Sequence, residues 1–217
     1  METRRFRDRT EAGRLLAERL RGYAGRDDVV VLALPRGGVP VAYEVTKELG
    51  APLAVFVVRK LGVPGYKELA MGAIASGGVV VLDEGLVRRL GISRTQLEEA
   101  IAREAQELER RENAYDGRRG PPKLEGKTVI LVDDGLATGS TMKAAAMAVR
   151  ELNPARLVVA VPVAAAETCD DFRNVVDEVV CDVTPRPFHA VGLWYENFSQ
   201  TSDDEVRELL ERAEARE

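Results

Sequence analysis

The chain has 217 residues, 45% of them hydrophobic and 31% charged, with a formal net charge of −5 at pH 7. That length predicts one domain, residues 1–217, with a core of its own. The acidic balance argues against a general nucleic-acid binder, whose affinity comes from clustered Lys and Arg. Cys169 and Cys181 stand in no C-x-x-C or Cys/His pair, so they read as reduced thiols of a cytoplasmic protein. The N-terminus METRRFRDRTEAG lacks the apolar centre of a signal peptide, and no apolar run is long enough to span a bilayer, so no membrane is expected.

In chain order, TEAGRLLAERLR (10–21) predicts an amphipathic helix capped by Thr10. DDVVVLALPRGG follows as a buried strand ending in a Pro-Arg-Gly-Gly turn. VPVAYEVTKELG predicts a helix stopped by Gly50, and PLAVFVVRK a second buried strand. Apolar runs alternating with helices predict a parallel sheet of βαβ units. The glycine-rich stretch from Leu61 to Gly78 predicts a flexible loop leading into a short hairpin. SRTQLEEAIAREAQELERREN is a long polar helix with Ser93 and Gln96 spaced as a capping box. Its apolar stripe (Leu97, Ile101, Ala105, Leu108) is narrow, and a solvated helix without chemistry is the simplest reading. YDGRRGPPKLEG returns the chain to the sheet. TVILV and the helix STMKAAAMAVRELN come next, then the strands ARLVVAVPV and DEVVCDV around a helix from Glu167 to Phe172. TPRPFHAVGLWYENFSQ is irregular, and a charged helix closes the chain from Asp203.

The chemistry concentrates in TVILVDDGLATGST, Thr128 to Thr141. A strand delivers Asp133 and Asp134 to the carboxyl edge of the sheet, where open α/β folds bind ligands. The segment Ala137, Thr138, Gly139, Ser140 and Thr141 opens the next helix, so its amides and hydroxyls suit a phosphate. Carboxylates beside a phosphate would repel it unless they serve something attached to it, such as sugar hydroxyls or a magnesium ion. A sugar phosphate satisfies both halves. Taken alone, an Asp pair at a strand end can also simply cap the following turn.

VILVDDGLATGST resembles the phosphoribosyl-pyrophosphate (PRPP) binding motif of the type I phosphoribosyltransferases. The likeness runs from about Val29 to Val183, with LPRGG (Leu34 to Gly38) and VRKLGVPG (Val58 to Gly65) at the family's other stations. It implies an α/β fold with a parallel-sheet, Rossmann-like core (about 29–60 and 127–183). It also implies an inserted flexible loop, hairpin and long helix (about 61–120), and a small hood (about 184–202 plus the N-terminal segment). It implies transfer of the 5-phosphoribosyl group of PRPP to a nitrogen nucleophile, a nucleobase or similar small amine in nucleotide salvage, with release of pyrophosphate. Asp133, Asp134, Arg59 and Lys60 would form the catalytic set, and Ala137 to Thr141 would hold the 5′-phosphate. Arg36, Gly37, Gly38, Arg59 and Lys60 would hold the pyrophosphate. Magnesium (Mg2+) would meet Asp133 and Asp134 indirectly, through PRPP and water. Phe188, Trp194, Tyr195 and Phe198 are the aromatic candidates to stack on a base, His189 is a candidate base, and Lys67 is a candidate to reach the ligand from the loop. Most of the family are dimers or larger, which implies a homo-oligomer.

Gly135 departs from the pattern, standing where the family usually has an apolar residue. Ala137 stands where the enzymes for 6-oxopurines carry an aspartate. DDGLATGSTM and VRKLGVPG are more similar to the adenine enzymes, while the base-contacting segments match no adenine pattern. The alternative is a PRPP- or nucleotide-binding regulatory protein of the same fold, without turnover.

Overall fold

The computed structural model describes residues 5–115 and 122–216, with the backbone alone at Lys67. The expectation for the Lys67 side chain, and half of the return loop YDGRRGPPKLEG (116–121), therefore lie outside the described residues.

Five strands form one parallel sheet: β1 (Val29–Ala33), β2 (Leu53–Val55), β6 (Thr128–Val132), β7 (Arg156–Val163) and β8 (Glu178–Val183). They lie in the order β2-β1-β6-β7-β8. Side chains alternate across a strand, so β1 sends Val29, Val31 and Ala33 to one core and Val30 and Leu32 to another. The helices α1 (Arg9–Arg19) and α2 (Gly38–Leu49) cover the first face, through Leu16, Leu20, Val41 and Val45. The helices α5 (Ser140–Glu151) and α6 (Ala166–Phe172) cover the second, through Met142, Ala146, Val149 and Phe172. Burial on both faces is why the strands read as unbroken apolar runs. α2 ends on Gly50 in the left-handed region (φ 66°), as expected. α1 is capped not by Thr10 but by Asp8, whose carboxylate accepts from the Glu11 amide at 2.8 Å. Asp8 is extended (φ −158°), the conformation a cap requires, and Thr10 already lies inside the helix.

Two further expectations are corrected. PLAVFVVRK is not one strand. The Phe56 amide makes the last bond to β1, at Ala33 O (2.9 Å), and then Val57 exchanges bonds with Ser76. The chain thereby leaves the parallel sheet for an antiparallel one, β3 (Val58–Val63), β4 (Tyr66–Ala75) and β5 (Val79–Leu82). The stretch 61–78 is consequently not a loop. Leu61, Val63, Met71, Ala73, Ile74 and Ala75 are all buried, and that apolar content holds it as a hairpin turning at Gly65. The helix α3 (Glu84–Arg89) leads to the long helix α4 (Arg94–Tyr115). The capping box of α4 is formed: the Ser93 amide donates to Gln96 Oε1 at 2.9 Å, and the Gln96 amide donates to Ser93 Oγ at 3.2 Å.

The last helix, α7 (Asp203–Glu214), packs beside α2 and α4. Among the described residues, no helix is long and apolar enough to cross a membrane.

The reading of two reduced thiols is also corrected. Cys169 on α6 and Cys181 on β8 face one another with Cα atoms 6.8 Å apart and are joined in a disulfide. The β8 crossover turns back over so short a connection that the two side chains meet between helix and sheet. Closing a loop of this length constrains the unfolded chain, and Cys181→Ser is expected to lower stability by about 3 kcal/mol in urea unfolding. Free labelling of both thiols in the native, unreduced protein would contradict the bond.

Candidate active site

The strand order reverses direction between β1 and β6. From β1 the chain winds outward to β2, and from β6 it winds the other way through β7 and β8. The crevice at such a switch point, beyond the carboxyl ends of the strands, is where open α/β sheets bind ligands. LPRGG leaves β1 there and the two aspartates leave β6 there. The Leu34 amide donates to Val132 O at 2.9 Å, which fixes the two exits side by side.

Contact between these segments is close enough to dictate glycine. An ideal Cβ on Gly38 would lie 2.7 Å from Val132 O and 3.0 Å from Asp133 Cα; one on Gly37 would lie 2.0 Å from Asp134 Oδ2. The acid pair pressed against Gly37 and Gly38 is thus by itself a reason for glycine at both positions. The Asp134 amide donates to Asp133 Oδ1 at 2.8 Å. Burial, and then the neighbouring Asp134 carboxylate, push the Asp133 carboxyl well above its ordinary range. Burial also raises Asp134, against the opposing pull of Arg9.

Arg9 was missed. It lies 125 positions before Asp134, yet its Nε donates to Asp134 Oδ2 at 2.9 Å and its Nη2 lies 2.9 Å from the same oxygen. No local pattern in the sequence marks a partner so distant.

Ala137, Thr138, Ser140 and Thr141 are exposed around the N-terminus of α5, while Gly139 is buried with φ 67°. The loop is held from beneath by α6, whose Thr168 hydroxyl donates to Ala137 O at 2.7 Å. Lys60 reaches this loop from β3 and donates to Ser140 Oγ at 2.6 Å. The neighbouring Arg59 points elsewhere. It makes a two-point bond with Glu104 of α4 (3.0 and 2.7 Å), which gives the long helix a contact with site chemistry that its polar sequence hid. Arg36 lies 3.6 Å from Asp203 at the start of α7. Thus Gly37, Gly38, Asp133 and Asp134 meet, and Lys60 meets the loop that opens α5, while Arg59 and Arg36 are engaged with acids of α4 and α7.

The hood is built from both chain ends. Phe6 and Tyr195 bridge in parallel, with the Phe6 amide donating to Trp194 O and the Glu196 amide to Phe6 O, both at 2.8 Å. Tyr195 is 4% exposed and no open platform for a base. Its hydroxyl donates to Asp134 O at 2.6 Å, and burial keeps the phenol protonated. Phe188 and Trp194 pack against the same small core, and the buried Trp194 Nε1 has no partner among the described residues. Phe198 is 37% exposed beside them, and His189 is exposed. Val191 explains the departure at Gly135. A Cβ there would meet Val191 Cγ1 at 2.6 Å, so the hood occupies the space the missing side chain would fill.

A sequence model of the family described as "Phosphoribosyl transferase domain" matches residues 64–195. Two curated Mycobacterium tuberculosis proteins, "Putative phosphoribosyl transferase MT0597" (strain CDC 1551 / Oshkosh) and "Putative phosphoribosyl transferase Rv0571c" (strain ATCC 25618 / H37Rv), are each 48% identical over 208 residues. That covers 96% of this chain and 47% of theirs, so the chain spans about half the length of these relatives. The crystal structure of TT1426 from Thermus thermophilus is 44% identical, with a TM-score of 0.86, over 95% of this chain and 97% of that one.

Proposed function

The chain belongs to the phosphoribosyl transferase domain family, and from that premise we propose that it transfers the 5-phosphoribosyl group of PRPP to a nitrogen nucleophile, a nucleobase or similar small amine, releasing pyrophosphate. The observation that carries this reading is the contact of Gly37 and Gly38 with Asp133 and Asp134 at the switch point of the sheet. The glycine turn would then serve as the anion-binding loop, with the acid pair joining it to the loop that opens α5.

In this reading the attacking nitrogen forms its bond to the anomeric carbon as the carbon–oxygen bond to pyrophosphate breaks, and the leaving group takes the electron pair. Positive charge gathers on the ribose and negative charge on the pyrophosphate. Asp133 and Asp134 hold the ribose hydroxyls. The loop from Ala137 to Thr141 anchors the 5′-phosphate, remote from the reacting carbon, and so fixes geometry. Lys60 is near enough to that loop to share its anion. Arg59 and Arg36 serve the pyrophosphate once the incoming charge draws them from Glu104 and Asp203. The β3–β4 hairpin borders the crevice and helps exclude water, which would hydrolyse the activated sugar.

Among the described residues, no group of three or more His, Cys, Asp or Glu could hold a metal alone. The pair Asp133 and Asp134 still fits magnesium, which keeps several waters and takes one or two carboxylates beside substrate phosphates. Asp133 and Asp134 would meet it through PRPP hydroxyls and water. When bound, it would supply charge neutralisation on the departing pyrophosphate.

Calorimetric titration of PRPP with magnesium into wild type and the Asp133→Asn/Asp134→Asn variant tests the binding half. Pyrophosphate release against a panel of purines, pyrimidines and small amines tests the transfer. Binding lost in the variant is expected, with release for one acceptor class. Wild type that fails to bind PRPP would refute the reading. Binding with no release on any acceptor would favour a regulatory protein.

A further inference from the structure

Arg9 lies outside the matched stretch 64–195 and has no part in the proposed chemistry so far, yet its guanidinium is fully engaged. It donates to Asp134 Oδ2 through Nε and to Ser199 O through Nη1 (2.7 Å), and it stacks 4.0 Å from the centre of the Phe198 ring. Its side chain and that of Asp134 are only 11% and 15% exposed, so this is not a surface ion pair of small consequence. The residue is also fixed in place. Asp8 caps the helix that Arg9 begins, and the segment before it is zipped to the hood, with the Asn197 amide donating to Arg7 O at 2.9 Å.

We propose that Arg9 is the positioning residue of the acid pair, setting the Asp134 carboxylate for the ribose of the substrate and tying it to the hood. The proposal rests on the PRPP reading. With Oδ2 committed to Arg9, Oδ1 is the oxygen left to take a ribose hydroxyl. Tyr195 holds the same residue by its carbonyl. Asp134 is thereby gripped at main chain and side chain by elements that converge only when the hood is docked. A lysine would supply the charge without the planar fork or the stacking face.

The test is a double-mutant cycle on PRPP binding, by calorimetry with magnesium, in wild type, Arg9→Met, Arg9→Lys, Asp134→Asn and Arg9→Met/Asp134→Asn. Urea unfolding first establishes that each variant is folded at the titration temperature. Arg9→Met is expected to weaken binding tenfold to a hundredfold, and Arg9→Lys to recover part of the loss. The double variant is expected to bind no more weakly than Asp134→Asn alone, because Arg9 acts through Asp134. Should Arg9→Met unfold, Arg9→Lys with Arg9→Lys/Asp134→Asn runs the same cycle. Wild-type affinity in the Arg9 variants overturns the proposal. So does a loss that adds fully onto Asp134→Asn, which would mark general loosening of the hood. Wild type that does not bind PRPP removes the underlying reading instead, and is distinguished by needing no variant at all.

Discussion

Gly38→Ala is expected to abolish measurable PRPP binding and to lower stability by about 3 kcal/mol, the upper end for forcing a methyl into a packed site. The added Cβ would fall 2.7 Å from Val132 O and 3.0 Å from Asp133 Cα, both backbone atoms at the end of β6. Neither can swing aside. Val132 is paired with Ala33 in the sheet, and its carbonyl already accepts from Leu34, so the clash must spread into β1 and β6 or push α2 away. Either movement separates the PRGG loop from the acid pair. Gly37→Ala is a useful contrast, because its nearest obstacle is the Asp134 carboxylate oxygen, a side-chain atom. That oxygen can rotate off Arg9, so the Gly37 variant should keep more of its stability while losing affinity. Urea unfolding beside PRPP titration separates the two. Near-wild-type binding by Gly38→Ala would mean the crevice is not where the ligand sits.

These two glycines also show what was legible in the sequence. The buried strands around them read clearly because burial on both faces leaves unbroken apolar runs. The placing of the acid pair and the segment 137–141 at the tip of β6 and the start of α5 read clearly because strand, turn and helix start are contiguous in sequence. Features made by distant segments did not read. Thr10 looked like a cap because Asp8 lay in an uninformative charged stretch. PLAVFVVRK looked like one strand because nothing local says that Val57 will find Ser76 and change sheets. The long helix looked inert because Glu104 gains meaning only beside Arg59. Gly135 read only as a departure from the motif, because Val191, which fills its space, lies 56 positions on. In every case but the first the deciding partner comes from another part of the chain, beyond the reach of a 3.6- or 2-residue period. Tyr195 was hard to place for a related reason. Whether its ring faced a base or its hydroxyl a backbone carbonyl depended on where the segment around Phe6 docked.

The second large effect divides the two aspartates. Asp133→Asn is expected to abolish PRPP binding and yet raise stability at neutral pH, on the order of 1 kcal/mol. Burial and the adjacent Asp134 carboxylate raise the Asp133 carboxyl above its unfolded value. A carboxyl so raised binds its proton more tightly folded than unfolded. Its favourable contribution is therefore complete at low pH and is lost as pH rises through the folded value. Above that point the ionised group opposes folding, and a neutral asparagine of the same shape removes the opposition. The gain over wild type should accordingly shrink as pH falls below the ordinary carboxylate range. Asp134→Asn should go the other way, losing roughly 1–3 kcal/mol: burial raises Asp134 too, but removing its charge leaves Arg9 unanswered in a nearly closed site, and that loss outweighs the relief. Thermal unfolding of both variants from about pH 3 to about pH 7, an interval that spans the ordinary Asp value of about 3.9, reads the two signs directly. If Asp133→Asn is destabilised at neutral pH, the carboxylate is better solvated or better partnered than the geometry allows. The pair would then have to be viewed as a structural cap on the β6 turn, which is the alternative that the two adjacent acids left open in the sequence. A site kept in spite of its destabilising effect points to selection for ligand, and the opposite signs at neighbouring positions would locate that effect at Asp133 while assigning to Asp134 and Arg9 the work of holding it in place.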